Sequence, residues 1–167
     1  MKAIVLYDTL FGNTEKVAGR LAAGRQHTGV EAEAINIKAA IVETLEGYDL
    51  LALGAPTQYF TASKPLKEFL ARLESIDLKG KQGFAFDTKL ESRLSGSAAK
   101  YIEKKLIEKG LEIIRPRASA IVVGQKAKTA QAGEAILKEG MESFFESIGQ
   151  ELGNLLQNKS AEERTAP

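Results

Sequence analysis

Residues Ala3-Ile4-Val5-Leu6-Tyr7 form a continuous apolar run, β-branched at Ile4 and Val5. A strand of a parallel sheet reads this way, because helices cover both of its faces. Asn13 to Gln26 follows with Val17, Ala18, Leu21 and Ala22 at helical spacing, and Gly29 stops it. Val30 to Ile37 carries apolar residues at 30, 32, 34 and 35, the mark of a second strand near an edge. Ile41 to Leu45 is at most a short helix. Asp49 to Gly54 is the next buried strand. Pro65 to Leu73 places Leu66, Phe69, Leu70 and Leu73 at i, i+3, i+4 and i+7, with Pro65 suited to a first helical turn.

Gln82 to Phe86 predicts a fourth strand. Ser95 to Lys109 predicts a helix, capped by Ser95 and stopped by Gly110. Leu111 to Val123 is a fifth strand region, broken near Pro116. Ala130 to Leu156 predicts a last helix, interrupted by Gly133, Gly140 and Gly149. Strands and helices alternate throughout, which predicts an α/β fold, a doubly wound, mostly parallel sheet. The domain is expected over residues 1–157, and the polar residues 158–167 read as a disordered tail. No internal repeat or linker interrupts the domain.

Composition narrows the function. The chain has 167 residues, enough for one domain with a sizeable core, and 44% of them are apolar. Its formal net charge is +1, and no basic run is interleaved with aromatics, so nucleic acid is not an expected partner. There is no cysteine, which excludes disulfides and Cys-ligated metals. Nothing approaches the roughly 20 apolar residues of a membrane span, and the run at Met1 to Tyr7 is too short for a signal-peptide core. A cytoplasmic protein is expected, and the sequon Asn158-Lys159-Ser160 then carries no glycan.

The loop after the first strand, Asp8-Thr9-Leu10-Phe11-Gly12-Asn13-Thr14, carries the chemistry. In doubly wound sheets ligands bind beyond the carboxyl ends of the strands. Gly12 permits a tight turn and a close backbone approach. Asn13 and Thr14 open the helix, so their N–H groups face outward at its positive end. Thr9 and Thr14 add hydroxyls. The spacing matches neither G-x-x-x-x-G-K-[ST] nor G-x-G-x-x-G, which disfavours nucleoside triphosphates and dinucleotide pyrophosphates. No Lys or Arg lies inside the loop, so the expected ligand has one terminal phosphate held by neutral donors.

These residues resemble the flavodoxin family. Val5-Leu6-Tyr7-x-Thr9-x-x-Gly12-Asn13-Thr14, with Ala18 and Leu21, is similar to its FMN-phosphate signature. The stretch Asp49 to Thr57 is similar to its third strand and second flavin loop, and Gly96-Ser97-Ala98-Ala99 is similar to its segment after the fourth strand. The resemblance covers residues 1–156 and is to the short-chain members. It implies an FMN-binding, flavodoxin-like fold with five parallel strands in the order 2-1-3-4-5. It implies the phosphate on Thr9, Asn13 and Thr14 and on the backbone N–H groups of Leu10, Phe11, Gly12, Asn13 and Thr14. It places the isoalloxazine ring between one loop formed by Pro56, Thr57, Gln58, Tyr59 and Phe60 and another running from Asp87 through Thr88 and Lys89 to Leu90.

The chain departs from the family at four points. Leu10 and Phe11 stand where Ser or Thr is common. Gln58 holds the first aromatic stacking place, with Tyr59 and Phe60 just after it. The loop Asp87 to Ser92 has no aromatic, and the charge is near neutral where family members are acidic. Lys89 could favour an anionic flavin and Asp87 would oppose it; a solvated loop is the other reading of both. Arg93 could reach an anion or a partner.

His27, the only histidine, ends a helix and reads as a surface residue. Asp8 is not a phospho-acceptor acid, because the third strand ends Gly54-Ala55-Pro56 with no second Asp. No Ser-His-Asp set, paired carboxylate site or metal cluster is legible, so hard chemistry would fall to the cofactor. Three functions stay open: an FMN electron carrier docking on redox proteins, an FMN-dependent NAD(P)H:quinone-type oxidoreductase, and a flavin-free interaction domain. The short chain without a substrate subdomain favours the first.

Overall fold

Strand β1 (Lys2–Tyr7) sends Ile4 and Leu6 to one face of the sheet and Ala3, Val5 and Tyr7 to the other. That double burial is why its sequence is uninterruptedly apolar. The computed structural model of the chain describes residues 1–124 and 135–165. After β1 come helix α1 (Asn13–Gln26), strand β2 (Glu31–Asn36), a short 3-10 turn at Val42–Gly47, and strand β3 (Leu50–Gln58). A two-residue strand β4 (Thr61–Ala62), helix α2 (Lys64–Arg72) and strand β5 (Gln82–Leu90) follow. The chain continues through helix α3 (Ala98–Glu108), strands β6 (Glu112–Ile113), β7 (Ala118–Gly124) and β8 (Ala135–Leu137), and helix α4 (Met141–Thr165).

The sheet runs β2-β1-β3-β5-β7-β8, parallel except for the antiparallel pair β7–β8. Its five long strands have the expected order 2-1-3-4-5. Three short strands enlarge the sheet to eight: β4 on β3, β6 on β5, and β8 at the edge. Leu66, Phe69 and Leu70 of α2 and Ile102 and Leu106 of α3 cover one face with Leu51 and Leu53. Val17, Ala18 and Leu21 of α1 and Phe145, Ile148 and Leu152 of α4 cover the other with Phe84 and Phe86.

Helices α1 and α4 touch backbone to backbone. A Cβ on Gly24 would lie 2.0 Å from the Glu146 carbonyl oxygen, and one on Gly149 would lie 2.3 Å from that of Leu21. Gly149 therefore does not interrupt the last helix but allows it to seat, a packing role that outweighs its poor helix propensity. Beside this contact Arg25 is fully buried, and its Nε and both Nη atoms have no hydrogen-bond partner among the described residues.

Several expected boundaries shift. Strands β3 and β5 run four residues beyond Gly54 and Phe86, because Ala55↔Asp87 and Pro56↔Thr88 continue the parallel ladder. Helix α3 starts at Ala98, with Ser97 rather than Ser95 as its cap, accepting from Lys100 N at 3.2 Å. The predicted helix Ala130–Leu156 is corrected. Its residues 130–134 lie outside the described residues, 135–137 pair with the free edge of β7, and the helix begins after Gly140. An available sheet edge overrides the helical preference of Ala-Ile-Leu there. The expected disordered tail is corrected to Thr165: α4 continues through Ala161, Glu162, Glu163 and Arg164, which are strong helix formers. Residues 166–167 lie outside the described residues. No described helix is long and apolar enough to cross a membrane.

Candidate functional site

The loop from Asp8 to Gly12 leaves β1 at its carboxyl end and turns into α1 through Gly12, which has φ +84°. Asp8 N donates to Gly54 O at 3.0 Å, and the Asp8 carboxylate accepts from Ser63 Oγ at 2.5 Å, so this residue anchors the loop from below. Thr9 Oγ1 accepts from Gly12 N at 2.9 Å and keeps its own hydroxyl hydrogen to give. No side chain caps α1. The N–H groups of Leu10, Phe11, Asn13, Thr14 and Glu15 find no acceptor among the described residues. A Cβ placed on Gly12 would meet no atom of the described residues within 4 Å. A row of donors unspent among the described residues at a helix start suits an anion. The donor set fits the phosphate that the sequence implies.

Two of the expected side-chain donors turn inward. Asn13 is buried, and its amide donates to Ala135 O at 2.6 Å, tying the loop to β8. Thr14 is also buried, and its hydroxyl shares a 3.0 Å hydrogen bond with Thr88 Oγ1. The anion-binding capacity of the loop therefore lies in its backbone and Thr9. Leu10 and Phe11, more than half exposed, point away from the core.

Beside this loop stand two others. Pro56, Thr57 and Gln58 belong to β3, not to a loop, and Tyr59-Phe60 forms a two-residue hairpin turn into β4. Both turn residues lie at positive φ, 47° and 69°. Such a turn normally takes Asn-Gly, and a bulky side chain there costs roughly 1 kcal/mol or more. Tyr59 is 95% exposed and Phe60 70%, so burial does not offset this cost. Strained, exposed aromatics mark functional rather than structural positions. Phe60→Gly is expected to raise the stability of the cofactor-free chain by about 1 kcal/mol while weakening ligand binding at this edge. Urea titrations with and without ligand check both halves, and a destabilised variant contradicts the strain.

The other loop runs from Glu91 to Ser97, after β5. Asp87, Thr88 and Lys89, expected in that loop, lie within β5. The solvated reading of Asp87 is corrected: it is fully buried. Its Oδ2 accepts from Thr57 Oγ1 at 3.1 Å, Ser97 Oγ at 2.8 Å and Ala99 N at 3.0 Å, while Oδ1 has no partner among the described residues. Thr57 Oγ1 accepts in turn from Ala98 N at 2.9 Å. One carboxylate thus joins the end of β3 to the start of α3. The two loops also meet at Gly96, φ +70°, where a Cβ would lie 2.3 Å from the Phe60 carbonyl oxygen. Lys89 is half-buried and Leu94 is 81% exposed.

Sequence reasoning missed Asp8 and Ser63 as a loop anchor and Asp87 as a hub. The serine just before each of α2 and α3, paired with an acid ending a strand, was the available signal. His27 ends α1 at the surface, 3.5 Å from Glu146. Among the described residues no group of three His, Asp or Glu gathers as for a metal.

Comparison with known proteins places these features in context. The family model described as Flavodoxin matches residues 5–140. A flavodoxin of Clostridium saccharobutylicum is 32% identical over 89 residues, 53% of this chain and 56% of that protein. An NAD(P)H dehydrogenase (quinone) of Sinorhizobium fredii is 32% identical over 100 residues, 48% of this chain and 50% of that protein. The matches span about half the length of these curated relatives. The solved structure of a flavodoxin from the domain Archaea superposes with a TM-score of 0.77 at 22% identity, over 94% of this chain and 99% of that one, a likeness of fold.

Proposed function

The chain belongs to the flavodoxin family, and on that premise we propose that it binds FMN beyond the carboxyl ends of β1, β3 and β5 and carries electrons between redox proteins. The observation that carries this reading is the set of unspent N–H groups around Gly12 at the start of α1. The phosphate would rest on the N–H groups of Leu10, Phe11, Asn13 and Thr14 and on the Thr9 hydroxyl, with Gly12 supplying the clearance. The ring would lie against the Tyr59-Phe60 turn and the loop from Glu91 to Ser97. Bound FMN supplies one- and two-electron redox chemistry. The protein's part is to hold it, to set the polar groups along its edge, and to leave one edge open.

Asn13 and Thr14 contribute by orientation. Their side chains pin the first turn of α1 to β8 and β5, so that its backbone N–H groups are held in place before a ligand arrives. Asp87 fixes both ring loops in the same way from beneath.

The test is the visible spectrum of the purified chain mixed with FMN. About one flavin per chain at micromolar concentration is expected, and failure to bind would leave the flavin-free interaction domain. Gly12→Val is expected to weaken FMN binding at least tenfold while costing the fold only about 1–2 kcal/mol for a β-branched residue at positive φ. An unchanged Kd would show the phosphate to be elsewhere. The match to an NAD(P)H dehydrogenase (quinone) favours a second reading, an oxidoreductase on the same site. Steady NAD(P)H oxidation with a quinone would select it.

A further inference from the structure

Six cations lie on the elements flanking the two ring loops: Lys64 and Lys67 in the first turn of α2, Lys89 in β5, Arg93 in the loop after it, Lys100 in the first turn of α3, and Lys138 just after β8. The exposed acids among them are Glu68, Glu91 and Glu139; Glu68 is taken by Lys64 at 3.8 Å and Glu91 by Lys138 at 3.0 Å. Asp87 lies beneath, spent on Thr57, Ser97 and the start of α3. Lys67, Lys89, Arg93 and Lys100 have no carboxylate within 4.0 Å among the described residues. A chain with a net charge of only +1 thus carries four cations without a carboxylate partner, among the described residues, on the elements that flank these loops.

The same ground is apolar at its centre. Tyr59, Phe60, Leu90 and Leu94 are 95%, 70%, 54% and 81% exposed. Large apolar side chains left in water beside a candidate ligand site mark a contact surface. The loop from Asp8 to Gly12 and helix α1 lie over the opposite face of β5, where Thr14 meets Thr88, so these cations are not the phosphate's counter-charge.

We infer that this surface docks an acidic redox protein, one that presents carboxylates around its own exposed electron-transfer edge. The inference rests on the FMN reading above and adds the sign of the partner's charge. The apolar centre, with Leu94 foremost, supplies contact area. Lys67 and Lys100 steer the encounter and set its orientation, which acts on association rate more than on final affinity.

The test uses the FMN-loaded chain, reduced with dithionite and mixed rapidly with either of two acceptors. One is a basic cytochrome c; the other is the same cytochrome with its lysines succinylated. In both, one electron passes per haem, ferric to ferrous. The acidic form is expected to react faster at low ionic strength and to slow about tenfold or more between 10 and 300 mM salt; the basic form is expected to quicken over that range. The double change Lys67→Glu, Lys100→Glu, both outside the ring loops, is expected to reverse this order with the FMN spectrum and Kd unchanged. Rates independent of salt for both forms, or a faster reaction with the basic form, overturn the inference. Weakened reduction by NADPH in the double variant, with both cytochrome rates unmoved, also overturns it and assigns the cations to a phosphorylated nicotinamide. A chain that takes up no FMN fails earlier, in its spectrum, and overturns the reading beneath.

Discussion

An Arg25→Leu chain is expected to be more stable than its parent by about 1–4 kcal/mol, the range found when buried ion pairs are exchanged for hydrophobes. Arg25 follows Leu21 by one turn on α1 and is completely buried, with all three guanidinium nitrogens unpartnered among the described residues. Taking a charge out of water without a partner is costly. At this size, each kcal/mol moves the melting temperature by roughly 2–4 °C, so thermal melts followed by circular dichroism resolve the gain. The position is about 18 Å along α1 from Asn13, so FMN affinity is expected to be unchanged.

The sign of the pH dependence follows from the direction of the shift. Burial pushes the guanidinium down to about 9, well below its solvated value. Below that lowered value it is charged in both the folded and unfolded states, and the penalty is fully present. Above about 9, and below the higher value of the unfolded chain, the unfolded chain binds a proton that the folded chain has released, so parental stability from this group rises with pH. The gap between Arg25→Leu and parent is therefore largest near neutral pH and narrows toward pH 11. A destabilised variant, or a gap that widens, would mean that the guanidinium has a partner after all.

The second large effect is expected at Asp87. Replacing it with Ala removes the shared acceptor of Thr57, Ser97 and Ala99 N from a fully buried position. Each stranded donor costs about 1–3 kcal/mol and the three are not additive, so a loss of about 3–5 kcal/mol is expected. FMN affinity should fall at least tenfold, because both ring loops hang from the one oxygen. Asp87→Asn keeps an acceptor in place and turns its amide toward the side where Oδ1 has no partner, and a loss of about 1–2 kcal/mol is expected. Denaturant titrations give the first pair of numbers and flavin fluorescence the second. Asp87→Ala within 0.5 kcal/mol of the parent would show the network to be idle.

The turn from β1 into α1 was legible because its logic is local. A buried strand, a glycine and a helix start within seven residues fix where the N–H groups go. What its side chains do was not legible, since the partners of Asn13 and Thr14 are 122 and 74 residues away. The same reason hid the last residues of β5. Asp87 and Thr88 fell in the loop expected beyond the fourth strand, and only partners from other elements make them interior residues. Strand β8 was lost because its three residues have no preference strong enough to declare themselves without the edge of β7. Arg25 could have been found: four residues after Leu21, it falls on the apolar stripe of α1, and a charge on that stripe is a conflict visible in the sequence.

The glycine contact between α1 and α4 joins segments made far apart in time. During synthesis α1 leaves the ribosome more than 100 residues before Gly149 does. Until then the surface around Gly24 is bare, Leu21 lacks its cover, and Arg25 is hydrated rather than enclosed. The nascent chain therefore cannot complete that face of its sheet, which α1 alone covers until α4 arrives. Final closure awaits the arrival of α4, and with it comes the desolvation of Arg25. The step that completes the core is thus also the one that meets its largest penalty.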